Sequence, residues 1–442
     1  MASVACHLGQ NKSAALKLLD QQAVEEICRQ KDYRWREVKL PPGRTAACFG
    51  WQVLMGNVPC DAVAHHEDGD FTGEAYCMAR QRLPLGVLEE LGRRVAVEAL
   101  ALAGAAAGAE HRWKGKRTFI IDGTGTSLPD SPQVRKHFGC SGKQKPGCGY
   151  PTAHVLLLCG PGGVAVDAIC SPLRTGDMTH AAQTHKHLQE GDLLMGDRLF
   201  GWWGHLHVLQ SQKLDGLFPA HHTRKIGWGA KAECGQSGRF VRSLGYYDQL
   251  VQYRKPRKRP KWMTAEQFAS APQWITVREV RRRVWVGGVR RLVTLVTTLI
   301  DAGKYPAKQL VKLLGKRWTI ELNLRSLKTA MGLEKLRCRS IQGIKKELAM
   351  YLIVYNLVRL RMLKAAARQR VPLARISFTD ALDCLRYGSG GAEVKLQVNP
   401  ERPGRAEPRS VKSRGKAFPK MAKPRPQLRR ELKARRKAVA LA

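Results

Sequence analysis

The sequence of 442 residues predicts a mixed α/β fold, and three observations favour it. A β-rich run begins at Thr118 and is followed by a hairpin pattern, a helical segment and another apolar strand, which is the element order of a mixed sheet. Residues 1–110 show helical spacing and little strand signal. A second β-rich stretch lies between Thr223 and Ile300. More than one domain is expected, because a single core rarely grows beyond about 250–300 residues.

The N-terminal region is predicted to be helical. Apolar residues have helical spacing from Ala14 to Gln30, and Phe71–Val97 reads as a helix that is broken near Pro84 and begins again, since proline ends a helix. Two short helices around a tight turn would suit DNA binding, and a helical packing layer explains the pattern equally well. The basic residues of this turn are Arg80, Arg82, Arg93 and Arg94.

The segments from Thr118 onward are expected to form the core sheet. In order, they are a strand from Thr118 that Asp122 closes, a hairpin of His154–Gly160 and Gly163–Cys170, a helix at Asp177–Glu190 and a strand at Leu193–Gly196.

Two aspartates follow apolar residues of this sheet, Asp122 in the first strand and Asp197 directly after the last. A charge at the edge of a sheet costs free energy unless it is paired, solvated or bound to a cation. An aspartate at a strand end can also simply cap the next turn, so each residue alone leaves both explanations open.

The segment Leu313–Lys328, LLGKRWTIELNLRSLK, is predicted to be one amphipathic helix. At about 100° per residue, its apolar residues form one stripe, and Arg317, Glu321 and Lys328 share an arc beside that stripe. Glu321 would add a third carboxylate from a third element, and hard oxygen ligands in that number suit Mg²⁺ or Mn²⁺. A solvated Arg/Glu pair at i,i+4 is the alternative.

The second β-rich stretch is longer than a connection within a sheet requires. Between Asp197 and Glu321 lie 123 residues, among which ITVREV, RRVWVGGV and RLVTLVTTLI read as strands. The segment RKPRKRPKW is either a contact for the DNA backbone or a solvated basic loop. Its candidate DNA-binding residues are Arg254, Lys255, Arg257 and Lys258.

The C-terminal part begins as helix and ends as a basic tail. Ile341–Arg370 has a broad apolar face that could pack on the core or on a second subunit. Residues 400–442 hold 15 basic and 3 acidic residues, so residues 389–442 are expected to be a flexible tail that binds DNA nonspecifically, with helical character near Gln427–Ala442.

The composition points to a polyanionic partner. The chain has 76 Lys and Arg against 36 Asp and Glu, a formal net charge of +40, which favours nucleic acid first and an anionic membrane surface second. A signal peptide and a membrane-spanning run are not recognisable, so we expect a cytoplasmic protein. The 12 scattered cysteines then favour reduced thiols over disulfides.

Three of these motifs together resemble the DDE transposases of the bacterial insertion sequence 4 family. They are IDGT around Asp122, GDRLFG around Asp197 and R-W-x-I-E-x6-K from Arg317 to Lys328, in the family's order. The family signature is Y-x2-R-x3-E-x6-K, and its tyrosine position is Leu314 here. A leucine cannot donate a hydrogen bond to a phosphate. The likeness extends from about residue 76 to residue 359.

The resemblance implies an RNase H-like catalytic core that a β-rich insertion interrupts. The implied units are a helical N-terminal DNA-binding region at 1–110, the first part of the core at 111–222, the insertion at 223–300, the second part of the core with C-terminal helices at 301–388, and the basic tail at 389–442.

The resemblance also implies roles for individual residues. Asp122, Asp197 and Glu321 would be catalytic and would hold the metal ions, while Arg317 and Lys328 would contact the phosphate backbone at the element's end. In related enzymes an aromatic residue of the insertion stacks on a base flipped from the duplex, and the candidate here is Trp285. Packing on the sheet is the alternative for this tryptophan.

The function expected from the resemblance is cut-and-paste DNA transposition. The enzyme would bind the inverted repeats of an insertion sequence as a homodimer and use two Mg²⁺ ions, or Mn²⁺, to hydrolyse DNA and transfer the strand to target DNA. It would work in the bacterial cytoplasm at the nucleoid, without a membrane partner. An RNase H-like structure-specific nuclease and a catalytically inactive derivative that represses by occupying the ends are the alternatives.

Overall fold

The computed structural model describes residues 20–106, 112–141, 148–230, 238–286, 289–334, 336–388, 395–400 and 423–440. The N-terminal region is helical, as expected, and the part of the predicted Ala14–Gln30 helix before residue 20 lies outside these ranges. Its helices are α1 (Gln21–Gln30), α2 (Pro42–Leu54), α3 (Cys60–His66), α4 (Gly73–Arg82) and α5 (Leu85–Ala106).

The predicted break near Pro84 is confirmed, because α4 ends at Arg82 and α5 begins at Leu85. Arg80, however, is not a surface residue. Its guanidinium donates to Gln52 Oε1 at 2.7 Å and to Cys338 Sγ at 2.9 Å, and it lies 4.0 Å from the ring centroid of Phe49. The idea that Arg80 serves DNA binding is therefore wrong, since the guanidinium joins the N-terminal helices to the rest of the fold.

The described strands form one mixed sheet in the order β4-β3-β2-β5-β6-β10-β9-β8-β7, with β1 paired to β2. β2 pairs antiparallel with β3 and parallel with β5, and β5 pairs parallel with β6. This is the RNase H-like mixed sheet that the resemblance implied. The strands are β1 (Arg112–Trp113), β2 (Lys116–Ser127), β3 (Thr152–Cys159), β4 (Ala165–Pro172), β5 (Leu193–Met195), β6 (Asp215–Pro219), β7 (Gly238–Gly245), β8 (Asp248–Arg254), β9 (Trp274–Val286) and β10 (Val289–Thr297).

Asp122 lies inside β2 and does not close it. The strand continues to Ser127, which pairs with Thr152, and Asp122 itself pairs with Leu157 of β3. The glycines after Asp122 suggested a turn, but pairing with β3 keeps this segment extended, so the predicted strand end was wrong.

The β-rich insertion extends the core sheet at its β6 edge. β10 pairs antiparallel with β6, with Val296 opposite Phe218. The sequences predicted as two strands, ITVREV and RRVWVGGV, lie mainly in the single strand β9. Within β9, Arg278 is fully buried and forms an ion pair with Asp248 of β8 at 2.6 Å. The domain bounds at 223 and 300 remain a prediction.

The shorter helices lie between the strands and after the sheet. The helix predicted at Asp177–Glu190 is only four residues long and continues as a 3-10 helix over Ala182–His187, so its expected length was wrong. The remaining helices are α6 (Pro132–Phe138), α7 (Met178–Ala181), α8 (Trp203–Ser211), α9 (Ala265–Ser270), α10 (Ala307–Gly315), α11 (Thr319–Arg325), α12 (Ile341–Gln369), α13 (Phe378–Tyr387) and α14 (Arg425–Ala440).

Helix α12 confirms the prediction for Ile341–Arg370 and packs along α5 within the same chain. The expected tail is partly wrong. Leu396 is 2% exposed, and Val398 forms a bridge with Ile376, so residues 395–400 pack on the fold. Residues 389–394 and 401–422 lie outside the described ranges, and the helix expected near Gln427 is present as α14.

Candidate active site

Asp122 and Asp197 are brought together by the register of two parallel strands. Ile120 of β2 pairs with Met195 of β5, and each aspartate lies two residues further along its chain. Asp197 Oδ1 accepts a hydrogen bond from the backbone nitrogen of Leu199 at 2.7 Å and begins the 3-10 turn Arg198–Gly201. The capping role that a strand-end aspartate can have is thus present at Asp197, next to Asp122.

Burial raises the pKa of the Asp122 carboxyl above its usual value. The backbone nitrogen of Gly123, which donates to Asp122 Oδ1 at 2.9 Å, and the charge of Arg317 act in the opposite direction. The negative charges of Asp197 and Asp177 raise the pKa further. Three carboxylates and one guanidinium therefore share the electrostatic environment of Asp122.

Glu321 approaches from the helical layer over the sheet. The segment predicted as one helix is helical throughout but changes its winding, with a 3-10 turn over Lys316–Trp318 and a π turn over Ser326–Ala330. Within it, Arg317 and Glu321 form the expected i,i+4 ion pair at 3.7 Å.

Lys328 fixes this helical segment on β2. Its ammonium donates to Thr124 Oγ1 at 3.2 Å. Because side chains alternate along a strand, Thr124 and Asp122 lie on the same face of β2. Lys328 therefore lies on the face of the sheet that carries Asp122.

The three acids do not form a ready metal cage. Within the described ranges, no three His, Cys, Asp or Glu side chains cluster closely enough to hold a metal ion. The donor chemistry nevertheless fits a hard cation, since carboxylates are the ligands that Mg²⁺ and Mn²⁺ prefer. A cation would also stabilise the ionised form of Asp122, whose pKa is raised by burial and, to a smaller extent, by the charges of Asp197 and Asp177.

Asp177 and His154 also lie at this site, and no pattern in the sequence predicts either of them there. His154 Nε2 forms a hydrogen bond with Asp177 Oδ1. A Cβ atom on Gly123 would lie less than 3 Å from both side chains, so only glycine at this position allows the approach. The glycine directly after Asp122 is the signal that could have indicated a close neighbour.

Leu314, which stands at the family's tyrosine position, is 6% exposed and belongs to the main hydrophobic core. The leucine at this position therefore serves packing. It places no polar group near Asp122.

Comparisons with known proteins show the family of this chain. The model of the transposase DDE domain family matches residues 113–357, which is more than half of the chain. This chain belongs to that family. As a DDE transposase it is an enzyme of DNA cleavage and strand transfer, and the family generally uses a divalent metal.

Two curated relatives of this DDE transposase come from Escherichia coli K12. The chain is 26% identical to the transposase InsG for insertion sequence element IS4 over 346 residues, which is 75% of this chain and 72% of the relative. It is 27% identical to the putative transposase InsZ over 160 residues, 34% of this chain and 52% of that relative. Among solved structures, the piggyBac transposase synaptic complex with hairpin DNA matches with a TM-score of 0.42 and 9% identity, covering 88% of this chain and 80% of that one.

Trp285 of this DDE transposase is not packed on the sheet. It lies on β9 with 70% of its surface exposed, and the guanidinium of Arg290 is 5.6 Å from its ring centroid. The packing alternative for Trp285 is therefore wrong.

In the basic segment at the end of β8, one cation contacts the protein and the others are exposed. The ammonium of Lys255 donates to the carbonyl of Ala271 at 2.9 Å, and it lies 4.5 Å from the ring centroid of Phe268. Arg257 and Lys258 are exposed, and the guanidinium of Arg254, also exposed, lies 5.9 Å from the ring centroid of Trp274. The segment can thus offer cations to a ligand while Lys255 holds the loop.

Among the helices within the described ranges, none combines the length and the apolar composition needed to cross a bilayer. All ten cysteines in the described part of the chain are free thiols.

Proposed function

We propose that this transposase binds the inverted ends of an insertion sequence and moves the element by cut-and-paste, with Asp122, Asp197 and Glu321 as its catalytic residues. The observation that carries the proposal is the register of β2 and β5, which places Asp122 beside Asp197. The raised pKa of Asp122 supports it, because such a carboxyl is stabilised as an anion by a bound cation.

We further propose two Mg²⁺ ions as the metals, with Mn²⁺ as a substitute. When bound, such ions activate the attacking water or 3′-hydroxyl and stabilise the leaving oxygen of a phosphodiester. Asp122 and Asp197 hold the metals from the sheet, and Glu321 completes the site from α11. The ion pair of Glu321 with Arg317 does not prevent this, because a partly exposed pair of this kind costs little to open.

The chain offers three groups of DNA contacts in this proposal. Arg317 and Lys328 bind the phosphate backbone at the element's end, where Lys328 already lies beside Thr124. Trp285 stacks on a flipped base, which its exposed ring allows. The basic segment at the end of β8 binds the backbone further along, through the exposed Arg254, Arg257 and Lys258, while Lys255 holds the loop.

The wider organisation is proposed on the same basis. Two element ends must be paired, so we propose a homodimer in the synaptic complex, bound to double-stranded element and target DNA. The N-terminal helices would contribute DNA binding, and residues 223–300 would act as the insertion unit. A net charge of +40 supports a protein that works on the bacterial nucleoid.

The test is cleavage of element-end DNA by the full-length protein with Mg²⁺. Asp122→Ala and Glu321→Ala are expected to abolish nicking and to leave DNA binding nearly unchanged. Glu190→Ala is the matched control, because this carboxylate is 68% exposed and its ion pair is with the exposed Lys213. Undiminished cleavage by either active-site variant would refute the assignment.

The catalytically inactive derivative that acts as a repressor is the second candidate, and buried Leu314 is the observation that favours it. This candidate requires end-specific binding without cleavage in any divalent metal. The same assay therefore decides between the two, and a pre-cleaved end then tests strand transfer separately from hydrolysis.

A further inference from the structure

The N-terminal helices surround a cavity whose lining residues all precede the three acids in the sequence. It has a volume of about 320 Å³ and is enclosed by the loop between α1 and α2, the start of α2 and the end of α4. We call it the Tyr33–Trp35 cleft. Its lining combines aromatic and apolar side chains with the three arginines Arg34, Arg36 and Arg82.

The loop sequence alternates aromatic and basic residues. Tyr33 and Trp35 are partly buried, whereas Arg34 and Arg36 are exposed. Both kinds of side chain line the cleft, the rings on its more buried side and the arginines toward solvent. The two rings are nearly parallel, with an interplanar angle of 24° and centroids 6.3 Å apart. The cleft thus has an aromatic wall with cations along its rim.

No acidic side chain of the described residues forms an ion pair with the three arginines of the cleft. Within the described ranges, Arg34, Arg36 and Arg82 form no ion pair, and the acids of the same loop, Asp32 and Glu37, do not line the cavity. Arg29 adds a further guanidinium 5.8 Å from the Trp35 ring, although Glu25 partly balances it at 3.8 Å. An anion is therefore the complementary ligand.

The walls of the cleft are held in place before any ligand binds. Thr45 donates to the carbonyl of Leu40 at 3.2 Å, which ties the end of the loop to α2. The ammonium of Lys346 donates to the carbonyl of Gln81 at 2.7 Å, which anchors the end of α4 to α12. A cleft held in this way loses little entropy on binding.

We propose that the Tyr33–Trp35 cleft binds one unpaired nucleotide of DNA, with the base on the aromatic wall and the phosphate on Arg34, Arg36 and Arg82. The ligand needs a flat apolar face and a negative charge, and a nucleotide has both. Bases inside a duplex are stacked on one another, so only an unpaired base can enter a cavity of this volume. The proposal rests on DNA being the substrate of this transposase.

The test measures binding of the full-length protein by fluorescence anisotropy in EDTA, so that cleavage cannot contribute. The probes are three duplexes of equal length: one fully paired, one with a single unpaired nucleotide, and one in which that nucleotide lacks its base. The wild type is expected to bind the unpaired base roughly tenfold more tightly than either other duplex, since stacking of one base on an aromatic ring has about this effect.

Variants assign the preference to the cleft. Each Trp35 variant also carries Trp285→Ala, which removes the other exposed ring proposed to stack on a base. In that background Trp35→Ala is expected to abolish the preference, and Trp35→Phe to keep most of it. Arg36→Ala should weaken binding of the unpaired nucleotide more than Lys186→Ala does, although each removes one exposed cation. If Trp35→Ala fails to fold, the Arg36 and Lys186 comparison and the baseless probe still decide the outcome.

Two results would overturn the proposal: a wild type without preference for the unpaired base, or a preference that survives Trp35→Ala. Duplex binding that persists in either case would leave the transposase assignment intact. Absence of metal-dependent cleavage in the separate activity assay would not affect the proposal for the cleft, because binding to the cleft is measured without metal. A wild type that binds none of the three duplexes would contradict both proposals.

Discussion

Asp122 and Asp197 lie at equivalent positions of two adjacent parallel strands, each two residues beyond the Ile120–Met195 pair. Neighbouring strands are about 4.8 Å apart, so backbone pairing alone brings these residues close together. Glu321 has no such constraint, because it belongs to a helical segment that is joined to β2 by the side-chain hydrogen bond between Lys328 and Thr124. We therefore expect the two aspartates to be the rigid part of the site and Glu321 the adjustable part.

Gly123→Ala is expected to impair both folding and cleavage. A Cβ atom there would overlap Asp177 and His154, whereas the nearest side-chain atom to a Cβ on Gly125 would be Thr152 Cγ2, at 3.5 Å. Overpacking of this kind costs about 1–3 kcal/mol. Thermal unfolding and nicking should show a clear loss for Gly123→Ala and a small one for Gly125→Ala. Equal behaviour of the two variants would contradict the close approach of Asp177.

Arg317→Ala is expected to move the acidic limb of the pH–rate profile to higher pH. The charge of Arg317 lowers the pKa of Asp122, so its removal raises that pKa and less of the carboxyl is ionised at a given pH. Single-turnover cleavage across a pH series measures the shift. Arg317→Lys keeps the charge and should keep the acidic limb near its original position, even if the loss of guanidinium contacts to phosphate lowers the rate. An unchanged limb in Arg317→Ala would exclude this coupling.

His205→Phe is expected to destabilise the turn that begins at Asp197. His205 is fully buried, and its Nδ1 donates to the carbonyl of Phe200 at 2.8 Å, while its Nε2 lies 3.1 Å from His185 Nε2. Loss of these buried hydrogen bonds costs about 1–3 kcal/mol. A decrease in the free energy of unfolding at pH 7.5, measured with urea, checks this. A variant as stable as the wild type would show that the two histidines do not hold the turn.

The same histidine pair predicts acid sensitivity. Burial lowers the pKa of His185 to about 4 and that of His205 to about 3. The unfolded chain takes up these protons below about pH 6.5, but the folded chain does not until the lower values are reached. The contribution of this pair to the free energy of unfolding is therefore fully present above pH 6.5 and is lost as the pH falls towards 3. His205→Phe should make the fall in unfolding free energy between pH 6.5 and 4 shallower than in the wild type.

Leu314→Tyr, which restores the family's residue, is expected to lower stability. Leu314 is 6% exposed within the main core, and a larger side chain in such a place costs about 1–3 kcal/mol. Leu314→Met, with nearly the same volume, is the control and should cost less. Thermal unfolding of the three proteins checks the order. A tyrosine variant that is as stable as the wild type and cleaves faster would show that the pocket can admit a phosphate-binding hydroxyl.

Trp285→Ala is expected to leave folding unchanged and to weaken DNA binding. Its ring is 70% exposed, so little packing is lost. Stacking of one base contributes about 1–3 kcal/mol, which predicts roughly tenfold weaker binding of DNA with an extruded base. Thermal unfolding and binding measured together check both parts. Trp285→Phe should retain most of the affinity, and an Ala variant that binds normally would remove Trp285 from the interface.

Local sequence pattern was sufficient for the type and order of most elements. The helical N-terminal region, the break at Pro84 and the hairpin of β3 and β4 follow from the spacing of apolar residues and from proline and glycine. The three acidic motifs were recognisable because they stand in a known order along the chain. Helix breaks, hairpins and short motifs depend on residues that are neighbours along the chain, so they can be read directly from the sequence.

Long-range pairing and burial were decided only by the tertiary structure. Pairing with β3 carries β2 past Asp122, and pairing of β10 with β6 joins the insertion to the core sheet. Burial against Phe49 takes Arg80 away from the surface, and the absent side chain of Gly123 admits Asp177. Each of these contacts joins residues far apart along the chain, and their free energy depends on which surfaces meet after folding. The sequence by itself therefore determined which residues are the candidates for the chemistry, and the fold decided which of these candidates lie together.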